Sequence, residues 1–427
     1  MSLTSAFNNA SSGLTVALKA AGVVSSNLAN ALSENYGRRE LTVMPLTEGG
    51  SVASRIVRQV DERSMAQIRL SSSETAGLST SLFALRDIDR LFGGADDPGS
   101  LFAVASKFEN SLIELSSQPD ATVRRERMLF SAETLAEKIT SISKGIESIR
   151  TDAEKEIAKT VESLNHYLSG ISDLNGAIAK SHGQNTASLE DARQSLIDKL
   201  SEIVPVKSVP RDHGRIALMT PKGQFLLDQS AALFSFEGRG LIANHQTIEA
   251  GDLELPRLNG SVFKAPETGQ LSALLDVRDK TGPSALSQLD GITTELVIRT
   301  NSPAGNHSVF GFSDDHDNAS DLTVLPSATK VDPVEMLTSL SGAEGGSSFF
   351  EIVGDLSSTW SSRIWREEEM MVSASAEYEA LVEQNSSGTV DTDQELQTLI
   401  RIEKSYAANA KALQVVGEML DDLLRIG

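Results

Sequence analysis

Histidines, carboxylates and cysteines are the residues from which this sequence would build a catalytic or metal site. The chain has six histidines and no cysteine. No two histidines are spaced i, i+4, and HExxH, GxxxxGK and GxSxG motifs do not occur. The acidic run from Asp314 to Asp321 includes His316, but it lacks the glycine and the final glutamate of a calcium-binding loop. This run is typical of a solvated loop, so we predict no catalytic, cofactor or metal site and no enzyme.

Composition limits the class of protein. The 427 residues carry a formal net charge of −21, with 40% hydrophobic and only 5% aromatic residues. So acidic a chain does not suit nucleic acid or an anionic membrane as its principal partner. No run of 18 apolar residues occurs, so we predict no membrane insertion. The N-terminus lacks the basic region of a secretory signal, and we expect a mainly α protein exported, if at all, without a cleaved signal peptide.

The C-terminal stretch carries an a/d heptad repeat, which predicts a coiled-coil helix. Thr392 and Glu395 form a capping box at its predicted start. Most residues beside the repeat are small or apolar, so we expect more than one neighbouring helix to cover this face. The two rows of the repeat are Leu399, Tyr406, Leu413 and Leu420, and Ile402, Asn409, Val416 and Leu423.

The N-terminal stretch has a matching apolar stripe and almost no charge. Lys19 is its only charged residue before Glu34, and the glycines Gly13 and Gly22 weaken it as a lone helix. We therefore predict that it packs on the C-terminal helix and is then surrounded by further copies. Its predicted interface residues are Leu3, Phe7, Leu14, Val24 and Leu28, which join the apolar residues of the C-terminal repeat in one assembly interface.

The chain between the two ends is predicted to form a helical rod with small β elements. The longest periodic segment would give a helix of roughly 60 residues, about 90 Å long. Trp360 and Trp365 fall in another helical stripe, where rod packing or a subunit contact is expected. We predict an N-terminal polymer-core helix (1–45), a rod domain in three parts (46–202, 266–300 and 349–386), a small β element (203–265), a variable outward-facing loop and β region (301–348), and a C-terminal polymer-core helix (387–427).

Four stretches resemble segments of the flagellar axial protein family. SSNLANALSENYGRRE (25–40) is similar to the family's SNNIANxNTxGYxRQ, with Tyr36 and Gly37 in reversed order, and IEKSYAANAKAL (402–413) is similar to YQxAYxAxARVI. Two more stretches resemble the hook-associated protein 1 branch of this family. LEDARQSLIDKLSEIVPV (189–206) is similar to LLDQRDxLLDELS, and residues 269–290 match GxLxALLxxRDxxxPxxxxQLD at Arg278 and Asp279, among others.

This resemblance implies a structural subunit at the junction between the flagellar hook and the filament, self-assembling through its terminal helices. It implies a ring of identical subunits, contacts with hook protein and hook-associated protein 3, and a flagellar export chaperone. It also implies type III flagellar export to an extracellular location. Another axial protein, such as flagellin or hook-associated protein 3, is an alternative that shares the termini. A cytoplasmic coiled-coil signalling module is a second alternative, because it would show the same heptads.

Overall fold

The computed structural model describes residues 3–33, 36–47, 49–94, 96–181, 186–301, 308–313, 318–342, 347–386 and 390–426. The chain divides into two compact units. The terminal unit comprises Met1–Ser73, Ser163–Leu233 and Ser375–Gly427. The central unit comprises Glu74–Glu162 and Phe234–Ala374. Residues 314–317 of the acidic run lie outside the described residues.

Helices make up most of the described structure, so the predicted mainly α fold is confirmed. They are α1 (Leu3–Ala29), α2 (Glu62–Phe92), α3 (Leu101–Ser117), α4 (Thr122–Lys180), α5 (Ala187–Ile203), α6 (Gln270–Asp276), α7 (Gly282–Thr300), α8 (Pro333–Leu340), α9 (Phe349–Ser386) and α10 (Thr392–Ile426). The predicted long helix is α4, a single helix of 59 residues. None of the helices that the structure describes has both the length and the apolar character to cross a membrane.

The strands form small antiparallel sheets. They are β1 (Arg38–Pro45), β2 (Ser51–Gln59), β3 (Lys207–Pro210), β4 (Ile216–Met219), β5 (Phe225–Leu227), β6 (Phe234–Ser235), β7 (Arg257–Leu258), β8 (Ser261–Val262), β9 (Phe310–Phe312) and β10 (Leu322–Val324). β1 and β2 form a hairpin with a register shift between Thr42 and Val43. The strand orders of the other sheets are β3-β4-β5, β6-β7-β8 and β10-β9. The small β element predicted between 203 and 265 is thus two three-stranded sheets.

The core of the central unit is packed from α2, α3, α4, α7 and α9. Phe92 of α2 stacks on Trp360 of α9, with ring centroids 6.1 Å apart. Gly93 ends α2 in the left-handed region at φ 82, as its type predicts. Ser100 caps α3 by accepting a hydrogen bond from the Ala103 N–H at 3.2 Å. Trp360 therefore fulfils the rod-packing prediction, whereas Trp365 is exposed.

Residues 308–313 and 318–342 contain more regular structure than the loop-rich prediction suggested. Phe310 of β9 is fully buried and meets Phe108 edge to face, with ring centroids 5.5 Å apart. Helix α8 was not predicted, because glycine, serine and proline dominate its surroundings. Its start follows an ordinary rule, since Asp332 accepts from the Val334 N–H at 2.9 Å and Pro333 occupies the first turn.

Candidate assembly surface on the paired terminal helices

The two chain ends pair as predicted: α1 packs along α10 in the terminal unit. The two helices come close together at Gly13, where an added Cβ would lie 2.7 Å from Asn409 Nδ2. Asn409 occupies the polar position in the second row of the C-terminal repeat. A glycine opposite this amide lets the helix backbones approach where a larger residue would hold them apart.

The predicted interface residues differ widely in burial. Val24 and Val416 are buried, while Leu3, Leu14, Leu399, Ile402 and Leu413 are half-buried. Phe7, Leu28, Tyr406, Leu420 and Leu423 are exposed. Leu423, for example, keeps 56% of its surface open to solvent. One partner helix therefore covers only part of the apolar face, as the width of that face predicted.

An apolar groove of about 950 Å³ opens between the beginning of α1 and the last turns of α10. Its walls are small or aliphatic side chains, and Lys411 and Asp422 are the charged residues among those that line it. The apolar lining consists of Leu3, Ala6, Ala408, Ala412, Val415, Val416, Met419 and Leu423. A groove with this chemistry accepts the apolar face of another helix.

Asn27 fixes the chain where α1 leads into β1. Its side chain is buried; Nδ2 donates to the Arg39 carbonyl, and Oδ1 accepts from the Arg39 N–H, both at 2.9 Å. The Tyr36 hydroxyl donates to the same Oδ1 at 2.9 Å. The Arg39 guanidinium lies over the Tyr36 ring, 4.8 Å from its centroid. The Asn, Tyr and Arg of the N-terminal motif thus form one turn-stabilising cluster.

Asp191 joins the second motif to this turn. It accepts from Arg58 Nε at 2.6 Å, Arg39 Nη2 at 3.1 Å and the Gly37 N–H at 3.1 Å. A Cβ on Gly37 would lie 2.3 Å from Arg58 Nε, so only glycine leaves room for this arginine. Residues that are distant in sequence therefore meet at one carboxylate, and the two motifs stabilise the same corner of the terminal unit.

The start of α10 corrects the predicted capping box. Asp391 caps this helix, because its Oδ1 accepts from the Asp393 N–H at 2.9 Å and the Gln394 N–H at 3.1 Å. Glu395 is buried and pairs with Arg38 Nε at 2.8 Å. Thr392 is the first helical residue. The prediction that Thr392 and Glu395 cap each other was wrong because Arg38 of β1 is a charged partner for Glu395 and Asp391 supplies the acceptor.

A further carboxylate of the second motif, Asp198, holds the beginning of α2. Arg69 Nε donates to Asp198 Oδ1 at 2.9 Å, and Arg69 Nη1 donates to Ser208 Oγ at 3.2 Å. Burial raises the pKa of Asp198, although Arg69 and Gln194 act in the opposite direction. Burial also lowers the pKa of Arg193. Asp198 is hydrogen-bonded by Arg69 and Gln194, and Arg193 donates to Asn175 and to the Gly214 carbonyl, so both groups have structural partners within the terminal unit.

Arg278 of the third motif is buried in the central unit, and Asp279 beside it is half-buried. Arg278 makes a bidentate contact with Asp279. Its Nε donates to Asp279 Oδ1 at 2.7 Å, and its Nη2 donates to Asp279 Oδ2 at 2.9 Å. Nη1 donates to Glu154 of α4 and to the Glu254 carbonyl. Burial raises the pKa of Asp279 despite Arg278 beside it. Burial acts to lower the pKa of Arg278, but its hydrogen bonds and charge pairing with Asp279 and Glu154 together outweigh burial and raise this pKa.

The backbone around this pair is a π-helical turn, Val277–Thr281, between α6 and α7. Arg150 of α4 donates through Nε to the Arg278 carbonyl at 3.0 Å. Its Nη2 donates to the Gln246 carbonyl at 2.6 Å. A Cβ on Gly282 would lie 2.5 Å from Arg150 Cγ. The extra residue of a π turn leaves a carbonyl without its usual helical partner, and a buried arginine supplies one here.

Several apolar residues of the assembly surface were missed by the heptad analysis. Exposed large side chains outside its two rows include Leu18 on α1 and Leu396, Ile400, Val415, Met419 and Leu424 on α10. Met419 and Leu424 lie beside the two rows of the repeat. Their apolar type was the available signal, since a helix that faces water on that side would carry charge there.

Paired chain ends with apolar side chains still exposed define a helical protein suited to assembly with further helices. A model of the family described as "Flagellar hook-associated protein FlgK helical domain" matches residues 85–305. This match spans more than half of the chain, which therefore belongs to the FlgK family of flagellar hook-associated proteins. A second model, "Flagellar basal body rod FlgEFG protein C-terminal", matches residues 386–426.

Curated relatives carry the name flagellar hook-associated protein 1. The protein from Salmonella typhimurium is 26% identical over 298 residues, covering 65% of this chain and 52% of the relative. That from Bacillus subtilis is 25% identical over 317 residues, covering 65% of this chain and 62% of the relative. The chain thus spans between half and two thirds of the length of these relatives.

One solved structure is similar over part of the chain. The flagellar hook junction protein FlgK from Burkholderia pseudomallei shares 18% sequence identity, with a TM-score of 0.48. The match covers 58% of this chain and 47% of that protein.

Proposed function

We propose that this chain is a structural subunit of the bacterial flagellum at the junction between hook and filament, where it assembles through its terminal helices into a ring of identical subunits. Membership of the FlgK family and the names of the curated relatives support the role at the junction. The observation that carries the assembly mechanism is the terminal helix pair, which leaves large apolar side chains of both helices exposed.

The energetic argument concerns the uncovered apolar face. Burying one leucine side chain contributes roughly 1.5 to 3 kcal/mol. Leu420, Leu423 and Tyr406 on α10, with Phe7 and Leu28 on α1, offer such a gain repeatedly when another helix covers them. In this proposal residues 1–45 and 387–427 form the polymer core, residues 46–202, 266–300 and 349–386 form the rod domain, and residues 301–348 face outward.

The partners and location follow from the same proposal. Hook protein lies on one side of the ring and hook-associated protein 3 on the other, and an export chaperone holds the C-terminal helix before assembly. The subunit reaches the cell exterior by the flagellar export route. Its role is structural, and no catalytic step is assigned to any residue.

Deletion of the gene tests the junction role. Cells without the protein should carry hooks without filaments and release unpolymerised flagellin into the medium, which electron microscopy and analysis of the medium would show. Reintroducing the gene should restore filaments. If deletion cells release no flagellin into the medium, this chain would itself be flagellin. Normal filaments in the deletion strain would contradict the proposal.

A second test separates assembly from folding. Replacing Leu420 and Leu423 together by Asp should leave the helical content of the purified chain nearly unchanged, because both side chains are exposed. The carboxylates would then have to be desolvated in the assembled core, so the variant should be exported but not incorporated. The matched control is Leu241→Asp, at an exposed leucine of the central unit. Filament growth by the double variant equal to that by the control would show that these leucines are not an assembly surface.

A further inference from the structure

A charged and apolar stripe lies on the exposed side of α9 in the central unit. Trp365, Glu369 and Val372 are spaced i, i+4 and i+7, which places them on one helix face. Trp365 is 63% exposed and Val372 69%. Glu368, next in sequence to Glu369, pairs with Arg86 of α2 at 2.6 Å. Trp365, Glu369 and Val372 are all exposed, so this face is open to solvent. We call these three residues the acidic stripe.

A second stripe with the same spacing lies on α4. Val123, Arg127 and Phe130 are again at i, i+4 and i+7, and Phe130 is 70% exposed. Arg127 reaches Glu114 of α3 at 2.7 Å, with both side chains half exposed or more. We call these three residues the basic stripe.

The two stripes are complementary in charge and alike in shape. Each has an apolar side chain one turn before its charge and another one turn after it. The acidic stripe spans three consecutive glutamates, Glu367 to Glu369, and one arginine, Arg366; the basic stripe spans Arg124, Arg125 and one glutamate, Glu126. Arg125 Nη1 donates to the Thr329 carbonyl at 3.0 Å, a neutral partner that leaves its charge in place. Two stripes that face each other with their helices antiparallel would therefore pair Glu369 with Arg127. The apolar contacts on either side would be Val372 with Val123 and Trp365 with Phe130.

A closed ring of identical subunits needs two different, complementary patches on each subunit. When identical subunits are related by rotation about a ring axis, each uses two different patches, and one patch meets the other on the next copy. Tryptophan and arginine are among the side chains that most often dominate binding at interfaces, and phenylalanine is enriched there. Aromatic groups this exposed on a helical rod are therefore candidates for contact with another copy.

We propose that the acidic stripe of one subunit docks on the basic stripe of the next. The occupant of each stripe is thus a second copy of this chain, a choice that rests on the proposed function. The contact lies in the central unit and is additional to that of the terminal helices. The pairing of Glu369 with Arg127 makes this contact specific. Two acidic stripes, or two basic stripes, would bring like charges together and repel each other.

Disulfide cross-linking tests the docking directly, because the natural chain has no cysteine. Purified Val123→Cys and Val372→Cys chains would be mixed at high concentration and oxidised. The mixture should give at least about tenfold more cross-linked dimer than either variant alone. A control mixture pairs Val372→Cys with Ile298→Cys, an exposed apolar position outside both stripes. Equal cross-linking in the control, or dimers of one variant with itself, would overturn the proposal.

Charge exchange tests the assigned pair. Adding Arg127→Glu to the Val123→Cys chain should reduce the mixed dimer about tenfold, and adding Glu369→Arg to the Val372→Cys chain should restore it. Circular dichroism of each variant checks that the helices persist. Failure of the second change to restore cross-linking would overturn the pairing.

The same variants separate this inference from the junction role. A chain that restores filaments in deletion cells but forms no 123 to 372 cross-link there or in solution would overturn the docking and leave the junction role standing. Cross-linking in solution together with normal filaments in the deletion strain would support the docking and defeat the junction role.

Discussion

Asn27, Asp191 and Arg278 show how the residues of the sequence motifs act in the folded chain. Asn27 bonds both backbone groups of Arg39, Asp191 receives a backbone N–H from Gly37, and Arg278 donates to a backbone carbonyl of residue 254. Each side chain therefore satisfies backbone groups where regular structure is interrupted. Polar residues that would suggest chemistry in isolation are used here to hold turns and a π turn in place.

Arg278 offers a quantitative test of this structural role. In Arg278→Met, the buried carboxylate of Glu154 and the half-buried carboxylate of Asp279 lose their shared guanidinium, and the Glu254 carbonyl loses a donor. Breaking a buried pair from one side costs about 3 to 5 kcal/mol. We expect a loss of this size in the free energy of unfolding of the central unit, measured by denaturant titration with helical circular dichroism.

An exposed pair in the same turn provides the control for that measurement. Lys280 Nζ lies 2.7 Å from Asp276 Oδ1, with both side chains at least half exposed. Exposed pairs contribute about 0 to 1 kcal/mol, so Lys280→Met should have a small effect. Similar losses for the two variants would contradict the assignment of Arg278 as an anchor.

At the level of elements, the two glycines inside α1 have different roles. No atom lies within 4 Å of a Cβ added to Gly22, whereas one added to Gly13 would be 2.7 Å from Asn409. Alanine is favoured over glycine inside a helix by about 0.5 to 1 kcal/mol. Gly22→Ala should therefore raise the melting temperature of the terminal unit, and Gly13→Ala should raise it less or lower it.

Thermal unfolding followed by circular dichroism would compare the two variants. The close contact can also be relieved, because Asn409→Ala removes the side chain that the new methyl group meets. Gly13→Ala should then be more favourable in the Asn409→Ala background than in the natural chain. Equal gains from the two glycine substitutions in the natural chain would show that α1 and α10 are not closely packed at this point.

The long periodic helices of this fold could be predicted from sequence, whereas the β1-β2 hairpin, helix α8 and the capping partners could not. The apolar period identified α4 and the pairing of α1 with α10, because a repeat held over many turns has few alternative explanations. Strand β2 was included in the rod, since its register depends on β1 and most of its residues face solvent or are half-buried. The fold class thus follows from local pattern, and the hairpin follows from tertiary pairing.

The heptad rows predicted which residues share a helix face, but not how deeply each one is buried. The heptad rows named Val416 and Leu423 alike, yet the first is buried and the second is exposed. A repeat shows which residues share a face, but it does not show how much of that face one neighbour covers. The partner of Glu395 was missed for the same reason, because Arg38 lies on a strand more than 350 residues earlier in the sequence.

At the scale of the whole molecule, the acidic charge acts together with partly buried carboxyl groups. The formal net charge is −21. Burial raises the pKa of Asp89, Glu109, Glu147, Asp198, Glu202, Asp279 and Glu367. A carboxyl group with a raised pKa binds its proton more tightly in the folded chain than in the unfolded chain, so protonation favours folding.

Stability should therefore rise as the pH falls from neutrality toward the ordinary carboxyl range near about 4. In that interval the folded chain binds more protons than the unfolded chain at these sites, and this stabilisation is lost as the pH rises through the folded pKa values. Protonation also relieves self-repulsion of the acidic chain. We expect the melting temperature at about pH 5 to exceed that at about pH 7 at constant moderate salt.

Glu147→Gln supplies the matched control for this pH dependence. Glu147 Oε1 accepts from the Asn244 N–H at 2.9 Å, and a glutamine oxygen can accept the same bond without carrying a charge. Because burial raises the pKa of Glu147, removing the charge should raise the melting temperature at neutral pH. The melting temperature of the variant should then rise less than that of the natural chain when the pH is lowered. A natural chain that melts earlier at about pH 5 than at about pH 7 would show that ion pairs needing ionised carboxylates outweigh the buried groups.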